Sequence, residues 1–247
     1  MQEETDTEEE ERRRKKKLRL TLCSQNLPIL YSAFIEKSLD WPSQSVEWLP
    51  WSQDVGAGWA AHSLLLGTQT SAAAGNYLLI CRVLLPGDQR AAGAAPREDV
   101  CRVVARLAHP AGDVDRARAC PQNPALVASK CIGAGITLYD TRQAGQGADR
   151  EDEEECGGPL HTHALKKCAG FGLCWREGDE GALLTTCEGG RVGHLRVDQG
   201  CTIATSAAST SHASCTAPVV DWYSGHSGEC NDVACPPVAP GLDSTFG

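Results

Sequence analysis

The stretch ALVASKCIGAGITLYD, residues 125–140, decides the fold of this sequence. Two short apolar runs of strand length are separated by a glycine-containing turn, and the second run ends on Asp140. This pattern is typical of a β-hairpin. The stretch ALLTTCEGGRVGHLRVD, residues 182–198, repeats the order of run, turn and run and ends on Asp198. The chain is therefore predicted to be built from a repeated β unit.

The rest of the chain continues this β pattern. Short apolar runs bounded by Gly, Pro, Asp and Asn occupy residues 45–51, 62–68, 76–86, 100–107, 125–130, 136–140, 182–187 and 192–198. Many short strands with frequent turns indicate a sandwich, a barrel or a propeller. Asp140 and Asp198 lie 58 residues apart, whereas a propeller blade of the WD type takes about 40–45 residues. The acidic run Asp149–Glu155 accounts for the excess as an insertion.

A third unit opens with Gly225–His226 and closes at Asp232–Val233. A Gly-His opening and an apolar-Asp or aromatic-Asp closing are the two ends of the WD signature. Each blade has an apolar face that it cannot bury alone, so neighbouring blades must stack. The sequence therefore predicts an all-β fold, a partial WD-repeat β-propeller of about two to three blades.

Upstream of the strands, the sequence predicts a charged tail followed by an α-helix. Residues 1–25 have low complexity and many charges, so we expect them to be disordered. The basic run Arg12–Lys17 fits either a nuclear import signal or a solvated charged stretch. Pro28 suits the first turn of a helix, and a helix is expected from Asn26 to a point before Pro42. Its apolar stripe at helical spacing consists of Leu27, Leu30, Tyr31, Phe34 and Ile35.

Charge and hydropathy exclude several classes of function. The formal net charge is −9, and most of it lies in two acidic runs, Glu3–Glu11 and Asp149–Glu155. The remainder is close to neutral and has no basic face suited to DNA phosphates, so we expect no direct DNA binding. No apolar stretch is long enough to span a membrane, and the charged N-terminus does not resemble a signal peptide.

The 13 cysteines are expected to be reduced thiols of a nuclear or cytosolic protein. No C-x-x-C pair occurs, and a loose cluster of Cys156, His161, His163, Cys168 and Cys174 is spaced more widely than zinc ligands usually are. We therefore expect no metal and no cofactor. The sequence contains no nucleophile elbow and no phosphate loop, so we expect that the protein is not an enzyme. A zinc- or cysteine-dependent enzyme is a minor alternative.

Several segments resemble one family, and they do so in the order in which that family has them. They are NLPILYSAFI (26–35), LDWPSQSVEWLP (39–50), HSLLLGTQTS (62–71), NYLLICRVLLPGD (76–88), GDVDRARACPQNPALVASK (112–130), GFGLCW (170–175), GHSGECNDVAC (225–235) and LDSTFG (242–247). They resemble the histone-binding WD-repeat proteins of the retinoblastoma-binding, or chromatin assembly factor small-subunit, kind. Trp41–Pro42 also suits the glutamate-rich ribosome-assembly WD-repeat proteins, but the run at Arg116–Pro124 favours the first family.

The resemblance implies a seven-bladed propeller with an N-terminal helix beside it. On that basis the chain is an N-terminal fragment that stops inside about the third blade. Residues 1–25 would be the disordered tail, 26–50 the histone-binding helix and first strand, and 51–247 the incomplete propeller. In the family the N-terminal strand closes the ring by pairing with the last blade, so Ser45–Trp51 is expected to lack its partner here.

Two binding surfaces follow from the resemblance. The first is a groove that holds a helix of a core histone, to which this chain would contribute Leu27, Leu30, Tyr31, Phe34 and Ile35. The same apolar stripe would also serve to pack the helix on the propeller wall. The second is the channel mouth, which grips a basic histone tail through Asp113, Asp115, Arg116, Arg118, Phe171 and Asn231. Structural ion pairing is an equally good interpretation of the two arginines.

The sequence departs from the family at several positions. Ala169 stands where the family has a glutamate, and Asn231 replaces another acid. Both changes are expected to weaken the binding of a cation. Cys235 stands where the family has a tryptophan, and Val197 where a WD tryptophan would stand.

The resemblance implies a nuclear scaffold subunit and histone chaperone. Its expected partners are the core histones of the tetramer and the subunits of chromatin assembly, deacetylase, nucleosome-remodelling and Polycomb complexes. No membrane partner is expected. The alternative is a WD-repeat scaffold of another kind, such as a glutamate-rich ribosome-assembly protein.

Overall fold

A computed structural model describes residues 11, 14–15, 17–19, 21–22, 25–27, 29–31, 33–87, 99–142, 157–165, 168–197 and 219–236. Within these residues, twelve strands form three antiparallel sheets of four strands each. In every sheet the strands pair in chain order, so each sheet is a simple up-and-down meander. This is the strand arrangement of propeller blades.

The first blade contains β1 (Ser43–Gly56), β2 (Trp59–Thr68), β3 (Asn76–Pro86) and β4 (Cys101–His109). The prediction that Ser45–Trp51 lacks a partner is wrong, because β1 pairs with β2 and Trp48 lies opposite Leu64. The cause is local. The turn between the two strands has positive φ at Gly56 and Gly58, a conformation that glycine adopts without strain, and it folds β2 back onto β1.

The second blade contains β5 (Arg116–Ala119), β6 (Leu126–Cys131), β7 (Gly135–Asp140) and β8 (His161–Ala164). The third contains β9 (Cys168–Trp175), β10 (Ala182–Cys187), β11 (Arg191–Arg196) and β12 (Val219–Ser224). The two hairpins predicted from the sequence repeat are β6–β7 and β10–β11, and both are confirmed. The acidic run Asp149–Glu155 lies outside the described residues.

Alternation of side chains along the middle blade joins all three blades. Val127 and Tyr139 belong to a buried cluster with residues of the first blade, such as Leu65 and Leu78. Their neighbours Ala128 and Leu138 belong to a second cluster with residues of the third blade, including Trp175 and Leu183. Because side chains alternate across a strand, the second blade is buried on both faces. The chain is therefore a partial WD-repeat β-propeller, as the sequence predicts.

The first strands of the blades, β1, β5 and β9, contact one another in that order. Hydrogen bonds between side chains and backbone tie them together. The Ala119 amide donates to Glu47 Oε2 at 2.7 Å, and the Trp175 indole Nε1 donates to the Arg118 carbonyl at 2.9 Å. These three strands form the inner edge of the propeller, where the channel of a complete ring would lie.

The chain does not stop inside the third blade. The third sheet is complete at Ser224, so the Gly225–His226 opening follows this blade instead of beginning it. Residues 225–236, which we call the post-β12 segment, run back to the inner edge. There the Phe171 amide of β9 donates to the Asn231 carbonyl at 2.7 Å. The post-β12 segment thus lies where the first strand of a fourth blade would begin.

The N-terminal helix lies earlier than the sequence predicts. The described residues between 11 and 30 are α-helical, and the chain leaves the helix at Tyr31. The disorder expected for 1–25 is therefore contradicted at the described positions. Glu, Lys, Arg and Leu are good helix formers, and Lys15 pairs with Glu11 one turn away at 3.6 Å. Within the described residues, no helix has the length and apolar character needed to cross a bilayer.

Candidate functional site

The residues predicted to form one helical stripe lie on both sides of the helix end. Leu27 and Leu30 are in its last turn, and the Tyr31 amide donates to the Leu27 carbonyl at 2.9 Å. Phe34 and Ile35 lie beyond the helix, in an irregular segment. Leu30, Tyr31 and Phe34 are 69%, 57% and 60% exposed. Three large apolar side chains thus face solvent together at the helix end.

Ile35 differs from its neighbours because it packs against the first blade. Together with Leu39 it covers a buried cluster on that sheet, which includes Leu66, Leu79 and Val83. Burial of Ile35 and Leu39 in an irregular conformation explains why the helix ends early, since tertiary packing overrides helical propensity. Of the five predicted residues, Ile35 therefore anchors the segment, and Leu30, Tyr31 and Phe34 remain accessible.

An apolar hollow lies beside this anchored segment. It has a volume of about 400 Å³ and is lined by side chains that include Ile35, Leu39, Trp48, Leu64 and Val83. Trp48 is 54% exposed, so the apolar surface continues from the hollow onto the outer side of β1. The helix end and this hollow together form the first candidate surface.

The channel-mouth residues separate into two groups. Arg116, Phe171 and Asn231 come together where the second and third blades meet the post-β12 segment. Arg116 donates from Nε to the Phe171 carbonyl at 3.0 Å and from Nη2 to Asp232 Oδ2 at 3.3 Å. The Phe171 ring is 39% exposed. Asp232 is thus a carboxylate of this site that the sequence analysis did not include.

Asp113 and Asp115 belong to a different part of the surface. They line a polar hollow of about 540 Å³ with Asn76, His109 and other residues of the first two blades. Asp113 Oδ1 accepts hydrogen bonds from the amides of Thr70 and Ser71, both at 2.9 Å, which fixes the β2–β3 loop. Burial raises the pKa of Asp115, although its Oδ2 accepts a bond from the Ile132 amide at 2.6 Å.

Arg118 lies on the inner edge, facing β1. Its Nη1 donates to the Ala117 carbonyl at 2.8 Å. Burial lowers the pKa of Arg118, while the nearby Glu47 carboxylate acts in the opposite direction. Burial also raises the pKa of Glu47, and the Ala119 amide and Arg118 oppose that shift. Arg118 and Glu47 thus form a charge pair between the first two blades, which supports the structural interpretation of this arginine.

Comparisons with known proteins match the same part of the chain. A family model described as the histone-binding protein RBBP4, or a CAF1 complex component, matches residues 20–87, which contain the helix end and the first three strands. The WD-40 repeat-containing protein MSI3 of Arabidopsis thaliana is 30% identical over 181 residues, 70% of this chain and 41% of that protein. The histone acetyltransferase type B subunit 2 of Schizosaccharomyces pombe is 33% identical over 180 residues, 68% of this chain and 40% of that protein.

The chain belongs to the histone-binding WD-repeat family. The match decides between the two families that Trp41–Pro42 left open. The chain spans about two fifths of the length of these relatives, 41% and 40%. Both candidate surfaces therefore belong to a member of this family, and each is built here from three blades and the post-β12 segment.

Two of the family's departures have visible local consequences. The Ala169 carbonyl, at the position of a family glutamate, accepts a hydrogen bond from Lys130 Nζ at 2.8 Å. Asn231 is exposed beside Asp232, so one acid of the pair remains. Of the cluster considered for zinc, Cys156 and the side chains of His161 and His163 lie outside the described residues.

Proposed function

We propose that this protein is a histone-binding scaffold subunit without catalytic activity of its own. The exposed group of Leu30, Tyr31 and Phe34 carries the proposal. Exposed clusters of large apolar side chains mark binding surfaces, and this one lies within the residues matched by the histone-binding family model. An amphipathic helix that inserts its apolar face beside these side chains would cover them.

The partner of this surface is a helix of a core histone of the H3–H4 tetramer. The name of the family model specifies histone H4, and the Schizosaccharomyces pombe relative is named as a subunit of a histone acetyltransferase. A nuclear location and service in chromatin assembly, deacetylase, remodelling and Polycomb complexes follow from this partner. Such a scaffold would present histones to other proteins.

Replacing Phe34 by Asp tests this surface. A carboxylate in an apolar contact loses its hydration without gaining a partner, so the affinity for a histone H4 helix peptide is expected to fall about a hundredfold, equivalent to about 2.7 kcal/mol. The measurement is a fluorescence anisotropy titration of labelled peptide against the protein. Val55→Asp is the matched control, because Val55 is also apolar and 38% exposed but lies at the far end of β1.

Equal affinity of the Phe34→Asp variant and the parent would refute the assignment, provided that circular dichroism shows both to be folded. A similar loss of affinity in Val55→Asp would mean that added negative charge, and not the apolar contact, weakens binding.

We further propose that the channel mouth binds a basic histone tail at Phe171, Asn231 and Asp232. Carboxylates accept charge-assisted hydrogen bonds from Arg and Lys, and Asp232 is 67% exposed even though it pairs with Arg116. The exposed Phe171 ring offers a face for a cation or for an aliphatic stem. The hollow beside Asp113 and Asp115 extends this acidic surface toward the first blade.

Restoring the family's acids tests the second surface. The double variant Ala169→Glu/Asn231→Glu is expected to bind a basic histone H3 tail peptide at least about tenfold more tightly, since hydrogen bonds to charged groups contribute about 1.5–3 kcal/mol each. The gain should shrink at high salt. The matched control is Ala169→Gln/Asn231→Gln, which adds similar bulk without charge. A control that gains as much as the acidic variant would contradict the electrostatic explanation.

A further inference from the structure

The thiols of Cys174 and Cys235 face each other across the inner edge of the third blade. Their Sγ atoms are 3.0 Å apart, although the two residues are 61 positions apart in the chain. Cys174 lies on β9 and Cys235 on the post-β12 segment. Both side chains are partly buried, so small molecules in solution can reach them. In the family a tryptophan occupies the position of Cys235, and the pair is therefore a feature of this chain.

Backbone packing fixes the distance between the two segments. The Phe171 amide donates to the Asn231 carbonyl at 2.7 Å, three and four residues before the respective cysteines. At Gly172 the segments approach so closely that a Cβ would lie 2.7 Å from the Val233 nitrogen. The two thiols are thus held in contact by the fold, because neither segment can shift without losing these contacts.

We infer that Cys174 and Cys235 form a reversible disulfide that fastens the post-β12 segment to β9 when the thiol pool is oxidised. The oxidant is a low-molecular-weight disulfide such as oxidised glutathione. Disulfides in nuclear and cytosolic proteins are usually transient and redox-sensing, and a thiol pair at the junction of two blades suits such a role. This inference does not depend on the proposed histone binding.

The reaction is a pair of thiol–disulfide exchanges. The Cys235 thiolate attacks one sulfur of oxidised glutathione, forms a mixed disulfide and releases one glutathione thiolate. Cys174 then gives up its proton and attacks the Cys235 sulfur, which releases the second glutathione. Two protein thiols are oxidised, and one glutathione disulfide is reduced to two glutathione molecules.

Local charges favour Cys235 as the attacking group. The hydrogen bond from the Cys174 thiol lowers the pKa of Cys235, and the nearby Arg176 acts in the same direction. The same contact, together with burial, raises the pKa of Cys174. Because the thiolate is the nucleophile, the exchange begins at Cys235 and ends with Cys174.

The test maps disulfides after oxidation of the whole chain. The protein is equilibrated in buffers of graded reduced and oxidised glutathione, and free thiols are blocked with iodoacetamide. Protease digestion and tandem mass spectrometry then locate the linked cysteines. We expect a Cys174–Cys235 link as the dominant pair, at least about tenfold more abundant than any other. Hydrogen exchange at the Phe171 amide should slow in the oxidised form, because the link holds its acceptor in place.

Two variants and one solvent condition serve as controls. Cys235→Ser should abolish the link, whereas Cys230→Ser should leave it intact, because Cys230 lies on the same segment but its thiol contacts the Asp232 carbonyl. In concentrated urea the preference for the Cys174–Cys235 link should disappear. The inference is overturned if Cys174 and Cys235 stay blocked by iodoacetamide while other cysteines are linked, or if the preference persists in urea.

Discussion

Replacing Lys130 by methionine is expected to destabilise the fold by about 4 kcal/mol, more than any substitution on the two proposed binding surfaces. Lys130 is completely buried in the second blade. Its Nζ donates to the carbonyls of Ala169 and Thr186, both at 2.8 Å, and lies 2.9 Å from Thr186 Oγ1 and 3.2 Å from the Gly172 carbonyl. One ammonium group thus fastens β6 to two strands of the third blade.

The expected size follows from two opposing contributions. Hydrogen bonds to a charged group contribute about 1.5–3 kcal/mol each, and unsatisfied buried acceptors cost about 1–3 kcal/mol each. Removing the ammonium also removes the cost of keeping a charge out of water, which is several kcal/mol. Burial accordingly lowers the pKa of Lys130. The loss of three or four bonds exceeds this relief, and the net effect is destabilising.

Urea unfolding followed by tryptophan fluorescence measures the effect, because Trp175 is buried between the second and third blades. Lys37→Met is the matched control. It removes the same group from an exposed ion pair with Asp99 at 3.1 Å, and exposed pairs contribute at most about 1 kcal/mol. If the two variants unfold at the same urea concentration, Lys130 does not hold the blades together.

Much of the fold could be predicted because the hairpins are encoded locally. The runs at 125–140 and 182–198 contain both strands and the turn between them, so pattern alone places β6, β7, β10 and β11. The third blade was harder to delimit. Its last strand, Val219–Ser224, comes after a long intervening stretch, and the Gly-His signal marks the step to the next blade.

The helix was misplaced because two signals conflicted. The charged residues before Asn26 have high helical propensity but no apolar periodicity, which made them resemble a disordered tail. The apolar residues after Leu30 have helical spacing but are drawn into an irregular segment by the packing of Ile35 on the first blade. Spacing alone could not reveal that packing, because the sheet that receives Ile35 forms later in the chain.

The channel mouth was only partly predictable for a similar reason. Resemblance supplied Arg116 and Phe171, and the structure brings them together through a hydrogen bond of 3.0 Å. It could not show that Asp113 is occupied in fixing the β2–β3 loop, or that Asp232 is the carboxylate that reaches Arg116. Pairing between residues 116 positions apart depends on how blades stack, which sequence pattern does not encode.

Replacing Gly170 by alanine is expected to displace the post-β12 segment from β9. Gly170 has a φ of +66°, a conformation that costs other residues about 1–2 kcal/mol. A Cβ there would also overlap the Cys230 carbonyl oxygen and lie 2.8 Å from Thr186 Oγ1. Overpacking of this kind costs a further 1–3 kcal/mol or so. Because the oxygen belongs to the backbone, the segment itself must move.

Gly189→Ala separates the two costs. Gly189 has nearly the same φ, +71°, but a Cβ at that position would meet no atom within 4 Å. We expect Gly189→Ala to show only the backbone cost. Gly170→Ala should in addition speed hydrogen exchange at the Phe171 amide and reduce the yield of the Cys174–Cys235 link at least about tenfold. If both variants give the parent's yield of this link, contact between the post-β12 segment and β9 does not hold the thiols together, and their proximity must arise from the pairing of β9 within its own blade.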